Sequence, residues 1–277
     1  MFTVNHALPG ICHITDAMGV SFTLIEGSNR AILFDTGYGT EDVKAYVETL
    51  TDKPVTVYLS HGHHDHMLGA RWFGKTFLCA EDREEFIERT GEGQRKKVRK
   101  QAEEQHVSVP EDFMTAPIAM PEAIRFTEKT GPFESRREDL GNTEVLVIRV
   151  PGHTPGSIVL YVPASDLLLT GDDWNPCTWM WFPTSDAANR WRDRMKELIR
   201  TLEEESGRNI QHVICSHRPV MREGDEIKGF LEYVTDERMK DAPAIDMGAP
   251  INTHEIRDDE KGWQLIFDHD KIKTEER

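Results

Sequence analysis

The sequence predicts an α/β protein, on three observations: apolar runs of strand length alternate with helix-forming stretches through both halves, turn residues separate them, and an apolar content of 38% is enough for a core. Such alternation permits either a doubly wound parallel sheet or a four-layer αββα sandwich with helices outside two sheets. A chain of 277 residues exceeds the commonest domain size, yet α/β sandwiches of this length are often one folding unit, so a single domain over 1–277 is expected.

In the first third, Ile11 to Thr15, Ser21 to Ile25 and Ala31 to Phe34 read as strands of an antiparallel meander, punctuated by Gly10, Gly27 and Asp35-Thr36-Gly37. Glu41 to Leu50 suits a helix. Val55 to Leu59 is a β-branched and aromatic run that ends directly in Ser60-His61. From Glu81 to about Gln105 the chain is rich in Glu, Arg, Lys and Gln, with Phe86, Ile87 and Val98 at intervals a helix can use. With the proline-containing stretch that follows, this forms a helical insertion at about 81–132. Strands resume at Thr143 to Val150, Ser157 to Val162 and Leu167 to Thr170. An amphipathic helix over Ala187 to Glu205, the strand Val213-Ile214-Cys215, a helix from about Glu223 to Glu237 and a last strand at Trp263 to Phe267 complete the order.

The net charge of −16 repels phosphate backbones, so no nucleic-acid partner is expected. The basic run Arg95 to Lys100 is flanked by acidic residues and reads as a solvated helix face. Cys12, Cys79, Cys177 and Cys215 are scattered, without metal-type or disulfide-type spacing, and reduced thiols are expected. The N-terminus lacks a basic segment followed by an apolar stretch, and no run of about 18 apolar residues occurs, so the expectation is a cytoplasmic protein with no membrane partner.

The segment Ser60-His61-Gly62-His63-His64-Asp65-His66 places four potential metal ligands within six residues at a strand's end. His61 and His63 alternate and can point the same way from an extended segment, while Asp65 and His66 fall where the next helix begins. Zinc favours imidazole and carboxylate donors, and a catalytic site keeps a position open for water or substrate. Further donors are available at three later strand ends, in Pro151-Gly152-His153-Thr154-Pro155-Gly156, Thr170-Gly171-Asp172 and Cys215-Ser216-His217.

His-x-His-x-Asp-His, then Gly-His-Thr-Pro-Gly, then Thr-Gly-Asp, then Ser-His resembles the ordered signature of the metallo-β-lactamase superfamily, from about Gly10 to His217. The resemblance implies that superfamily's four-layer αββα sandwich. It implies a first metal on His61, His63 and His153, a second on Asp65, His66 and His217, and Asp172 bridging them. The ions implied are two divalent cations, zinc first, with iron or manganese as alternatives. They would hold a hydroxide as nucleophile, with Asp65 and Asp172 closest to the chemistry. Asp35, in Ile32-Leu33-Phe34-Asp35-Thr36-Gly37, resembles the carboxylate that orients a ligand. His64 is expected to project away from the metals, and Asp173 to support the site without direct chemistry.

Departures from relatives narrow the chemistry. Secreted β-lactamases of this family typically use cysteine at the second metal, whereas flavodiiron-type proteins carry glutamate where His63 stands. The nucleic-acid-processing branch adds a large domain in the interval that here spans 217 − 172 = 45 residues. What remains is similar to glyoxalase II, lactonases and related hydrolases of thioesters, lactones or esters. A persulfide-dioxygenase-like iron enzyme is the alternative on the same ligands. The stretch Asp173 to Pro183 lacks both the glycine- and cysteine-containing sequence of glyoxalase II and the tyrosine of lactonases. Its Trp179 and Trp181 are candidates for an apolar substrate wall, and Arg218 for pairing with a substrate carboxylate. The interval from His66 to His153, 153 − 66 = 87 residues, is expected to cover the metal cleft as a lid or to form a homodimer contact.

Overall fold

The computed structural model describes residues 1–272 of the chain. Its first sheet holds seven strands in chain order: β1 (Thr3–Leu8), β2 (Ile11–Thr15), β3 (Ser21–Glu26), β4 (Ala31–Phe34), β5 (Val55–Tyr58), β6 (Phe77–Leu78) and β7 (Glu122–Ala123). The second sheet contains β8 (Glu128–Thr130), β9 (Phe133–Asp139), β10 (Glu144–Arg149), β11 (Ile158–Val162) and β12 (Leu167–Leu169), continued by β14 (His212–Ile214) and β15 (Arg222–Glu223). Between them in sequence, β13 (Cys177–Met180) joins β16 (Thr253–Asp258) and β17 (Trp263–Asp268) in a third, three-stranded sheet.

Alternation along β10 decides the layering, because successive strand residues point to opposite faces. Val145 and Val147 face the first sheet, in one cluster with Ile32, Phe34 and Tyr58. Leu146 and Ile148 face outward, onto Trp191, Met195 and Leu198 of α5 (Ala188–Ser206). On the outer face of the first sheet, Phe22, Leu24, Leu33 and Val57 pack against Val43 and Val47 of α1 (Val43–Val47), Met67 of α2 (His64–Met67) and Phe86 of α3 (Arg83–Thr90). Helices therefore cover both outer faces. The arrangement is the four-layer sandwich and not a single doubly wound sheet. Each Leu, Ile or Val buried in these clusters contributes roughly 1.5–3 kcal/mol, and the central cluster ties the two sheets together.

Sheet direction positions the site. Parallel pairing of β4 with β5, and of β12 with β14, carries both pairs of C-terminal ends to one edge of the sandwich. Asp35, Ser60-His61, Thr170-Gly171-Asp172 and Ser216-His217 all follow those ends within a few residues.

Several elements differ from the sequence reading. The helix expected over Glu41 to Leu50 is only α1, five residues capped by Asp42, whose side chain accepts from the Ala45 N–H. The helix expected from Glu223 to Glu237 is two: α6 (Gly224–Tyr233) and α7 (Asp236–Lys240), the second started by the Thr235 hydroxyl accepting from the Arg238 N–H. The charged stretch splits at Gly91 into α3 and α4 (Glu92–Glu104). The aromatic loop after Asp172 contains a true strand, β13, whose Thr178 and Met180 point inward while Trp179 faces out.

Candidate metal centre

The first motif is held in place by Asp35. Its backbone adopts φ of 70°, a left-handed conformation rare for a residue with a Cβ, and its carboxylate turns back under the motif. It accepts from the Ser60 N–H at 2.6 Å, from the Ser60 hydroxyl at 2.8 Å and from His66 Nδ1 at 3.0 Å. The last bond fixes the His66 tautomer and leaves Nε2 free to face the site. His153 is fixed in the same way: Nδ1 donates to the Trp179 carbonyl at 2.8 Å. Gly171 also has a positive φ, and a Cβ there would meet the Ser60 Cβ at 2.8 Å, so glycine lets Asp172 approach the first motif.

Seven side chains converge in two groups, His61, His63 and His153, and Asp65, His66, Asp172 and His217, with the donor atoms of each group within 4.8 Å of one another. His63 Nδ1 lies 3.0 Å from His153 Nε2. Asp172 Oδ2 lies 3.0 Å from His217 Nε2, 3.3 Å from His66 Nε2 and 3.7 Å from His153 Nε2, between the two groups. Asp65 Oδ2 is 3.5 Å from His66 Nε2 and 3.6 Å from His217 Nε2. Donors on one tetrahedral zinc stand about 3.4 Å apart, since the bonds are about 2.1 Å.

The donor set also fits cations by what it leaves unpaired. His61 Nε2, His63 Nε2, His66 Nε2 and Asp172 Oδ1 are buried without a hydrogen-bond partner among the described residues, an arrangement costly for polar atoms unless something else satisfies them. Burial, reinforced by neighbouring imidazoles, drives the His61 and His63 pKa values well below the usual range, so these rings are neutral donors. Burial works against the charged form of Asp172, but His217 and His66 outweigh it and hold the carboxylate ionised. Asp65 is likewise held well below its ordinary value, by His66 and His64 against burial. Neutral rings at His61 and His63 and ionised carboxylates at Asp65 and Asp172 are the protonation states that metal binding requires, whereas the carboxylates raise the pKa of His66 and His217 against burial, so a cation bound there would displace their protons.

A search by family leads to the same place. The model of the metallo-β-lactamase superfamily matches residues 15–172, more than half of the chain. The chain belongs to this superfamily. No curated protein matches the chain by sequence. Among solved structures, a stereoselective inverting sec-alkylsulfatase from a Pseudomonas species superposes with a TM-score of 0.60 at 18% identity, over 87% of this chain and 43% of its own. The chain thus spans less than half the length of that sulfatase. A metallo-β-lactamase from Pontibacter korlensis gives 0.55 at 16% identity, over 84% and 98% of the two chains. The mono-zinc form of a metallo-β-lactamase from Pseudomonas aeruginosa gives 0.53 at 16%, over 82% and 92%.

In this member of the metallo-β-lactamase superfamily the donors open onto a cavity of about 450 Å³. Beside the donors, it is lined by Trp179, Phe182, Cys177, Arg218, Tyr38, His64, Arg89 and Gln101, with the Arg89 guanidinium 5.9 Å from the centre of the Phe182 ring. Of the three residues proposed from the sequence for substrate contact, Trp179 and Arg218 line this cavity and Trp181 does not. It stacks behind Phe182, with ring centroids 4.8 Å apart. Trp174 is buried in the core of the second sheet's outer layer. His64 belongs to neither donor group yet reaches the cavity wall, edge-on to Tyr38 at 5.5 Å, and so is less remote than expected. The insertion contributes Arg89 from α3 and Gln101 from α4 to the rim.

Asp82 is the supporting residue that sequence reasoning missed. Its carboxylate accepts from the Gly62 N–H at 2.8 Å, the Gly156 N–H at 2.7 Å and the Thr154 hydroxyl at 2.6 Å. It thereby clamps the loop of His61 and His63 to the loop of His153. Asp173 supports His153 directly, accepting from its N–H at 2.9 Å. Lys271 holds the segment bearing Phe182, donating to the carbonyls of Phe182, Pro183 and Ser185 at 2.8–2.9 Å. No motif announces Asp82 or Lys271, because both act on backbone atoms brought near by folding.

Proposed function

We propose that the protein is a metal-dependent hydrolase that cleaves a small-molecule thioester, lactone or ester at a centre of two divalent cations, zinc first among them. The observation that carries this reading is the convergence of seven donor residues, four of whose buried side-chain atoms have no hydrogen-bond partner among the described residues. His61, His63 and His153 would hold one ion, Asp65, His66 and His217 the other, and Asp172 both. Bound there, such ions supply Lewis acidity at a carbonyl oxygen and a water acidic enough to attack near neutral pH.

The chain's own residues supply the rest. Asp35 and the Trp179 carbonyl fix the imidazole tautomers, Asp82 holds the two histidine loops in register, and Phe182, edge-on to His63 and His153, shields the donors from bulk water. Membership of the metallo-β-lactamase superfamily, together with the donor set, supports the reaction class. The structural neighbours, at 16–18% identity, support fold similarity alone, so substrate rests on this cavity.

The test is metal analysis of purified protein together with turnover on a panel of lactones, thioesters and phosphoesters. Two divalent ions per chain with hydrolysis of a carbonyl ester, lactone or thioester is the expected result. Iron with oxygen consumption on a persulfide would replace this reading by the oxidoreductase one.

A further inference from the structure

Arg218 stands out among the cations of the cavity. Arg89, the other one, is engaged by Glu85 at 3.1 Å. Arg218 has no carboxylate within 4.0 Å among the described residues, although the chain carries a net charge of −16 and many of its other arginines are ion-paired. Its guanidinium donates through one nitrogen to the carbonyl of its neighbour His217, at 2.8 Å. The residue is nevertheless anchored: His13, buried between Thr23 and Arg218, donates to the Arg218 carbonyl at 2.7 Å. A held guanidinium with free N–H groups facing a cavity matches a planar oxyanion, which it can grip by two parallel hydrogen bonds.

The same cavity offers an apolar platform. Trp179 is 38% exposed, although it lies in a strand and its own carbonyl fixes His153. Its ring stands 6.2 and 5.9 Å, centroid to centroid, from those of Phe182 and Trp181 and lines the cavity. An exposed ring backed by other rings binds flat apolar groups at little entropic cost.

We propose that this cavity selects substrates bearing a carboxylate on an apolar, preferably aromatic, body, with Arg218 gripping the carboxylate and Trp179 carrying the body. The proposal takes its reacting bond from the hydrolase reading but its recognition from Arg218 and Trp179. A neutral acyl compound would leave the guanidinium's remaining N–H groups without an anionic partner, which penalises it relative to the anion.

The test is equilibrium binding to the metal-loaded protein, read by calorimetry, with 3-phenylpropanoate, 3-phenylpropanol and propanoate as probes. The wild type is expected to bind 3-phenylpropanoate at least about tenfold more tightly than either of the others. Arg218→Gln should bring the acid and the alcohol to within about threefold of each other, and Trp179→Ala should do the same for the long and the short acid. Retention of the acid's advantage in Arg218→Gln would assign the anion to the metals and overturn the proposal. Equal binding of acid and alcohol by the wild type would overturn it too. Because the readout is binding, failure of the hydrolase reading shows separately, as absent turnover on the ester panel.

Discussion

The two walls of the cavity are built on different principles. The donor wall is rigid by construction: its side chains lie in α2 or just beyond strand ends and are braced from behind, His66 by Asp35, His153 by the Trp179 carbonyl, and both histidine loops by Asp82. The remaining wall is assembled from distant segments, with Arg89 and Gln101 from the insertion, Trp179 and Phe182 from and after β13, and Arg218 beyond the last histidine. Bracing of the first kind fixes the chemistry, while the second kind sets which molecules reach it. Damage to the donor wall should therefore affect all substrates alike, and damage to the other wall should be selective.

Asp172→Ala strikes the donor wall hardest, because its carboxylate lies between both groups. It is expected to lose both ions and to lower kcat/KM by roughly 10³-fold or more, on the order of 4 kcal/mol, for every substrate. Elemental analysis beside kinetics checks this, and two ions retained with near-normal turnover would break the distinction between the walls.

The bracing itself has a pH signature. Burial pushes the Asp82 pKa up to about 6, against hydrogen bonds from Thr154, Gly62 and Gly156 that lower it. An acid whose folded pKa is raised is protonated in the native state while ionised in the unfolded one. Stability from this group is therefore present below about pH 4 and is lost as pH rises towards 6, by about 3 kcal/mol at most. In Asp82→Asn that decline should disappear, so the stability difference between wild type and variant changes between pH 4 and pH 7. Denaturant unfolding of metal-free protein at both pH values measures it, and a pH-independent difference would show that Asp82 does not titrate as a buried acid.

The smallest effect separates Trp179 from Trp181. Apolar contact with a ring is worth on the order of 1–3 kcal/mol, so Trp179→Ala should lower kcat/KM roughly tenfold for bulky apolar substrates and leave small acyl substrates and metal content nearly unchanged. Trp181→Ala, one ring further back, should do less. Equal losses on all substrates from both variants would make these rings core supports.

The donor wall was legible in the sequence and the other wall only partly. His61 to His66 are local, and Gly152-His153, Gly171-Asp172 and Ser216-His217 each follow an apolar strand, so residue type, spacing and order carry the information. The central strands were legible for the same reason, since β10 and β11 are continuous apolar runs buried on both faces. β1 and β9 were not. β9 reads Phe-Glu-Ser-Arg-Arg-Glu-Asp, and its inward Glu138 is tolerated because the Tyr58 hydroxyl, Arg30 and Arg136 donate to it. Asp82, Tyr38 and Lys271 were missed because their roles depend on tertiary neighbours, and Trp181 was misplaced because proximity in sequence to Asp172 does not fix which ring faces the cavity.

Anomalous diffraction at the zinc edge, from crystals of zinc-loaded protein, tests the central claim most directly. The account predicts two peaks, one among His61, His63 and His153, the other among Asp65, His66 and His217, with Asp172 between them. A single peak, or none at these side chains, would contradict it.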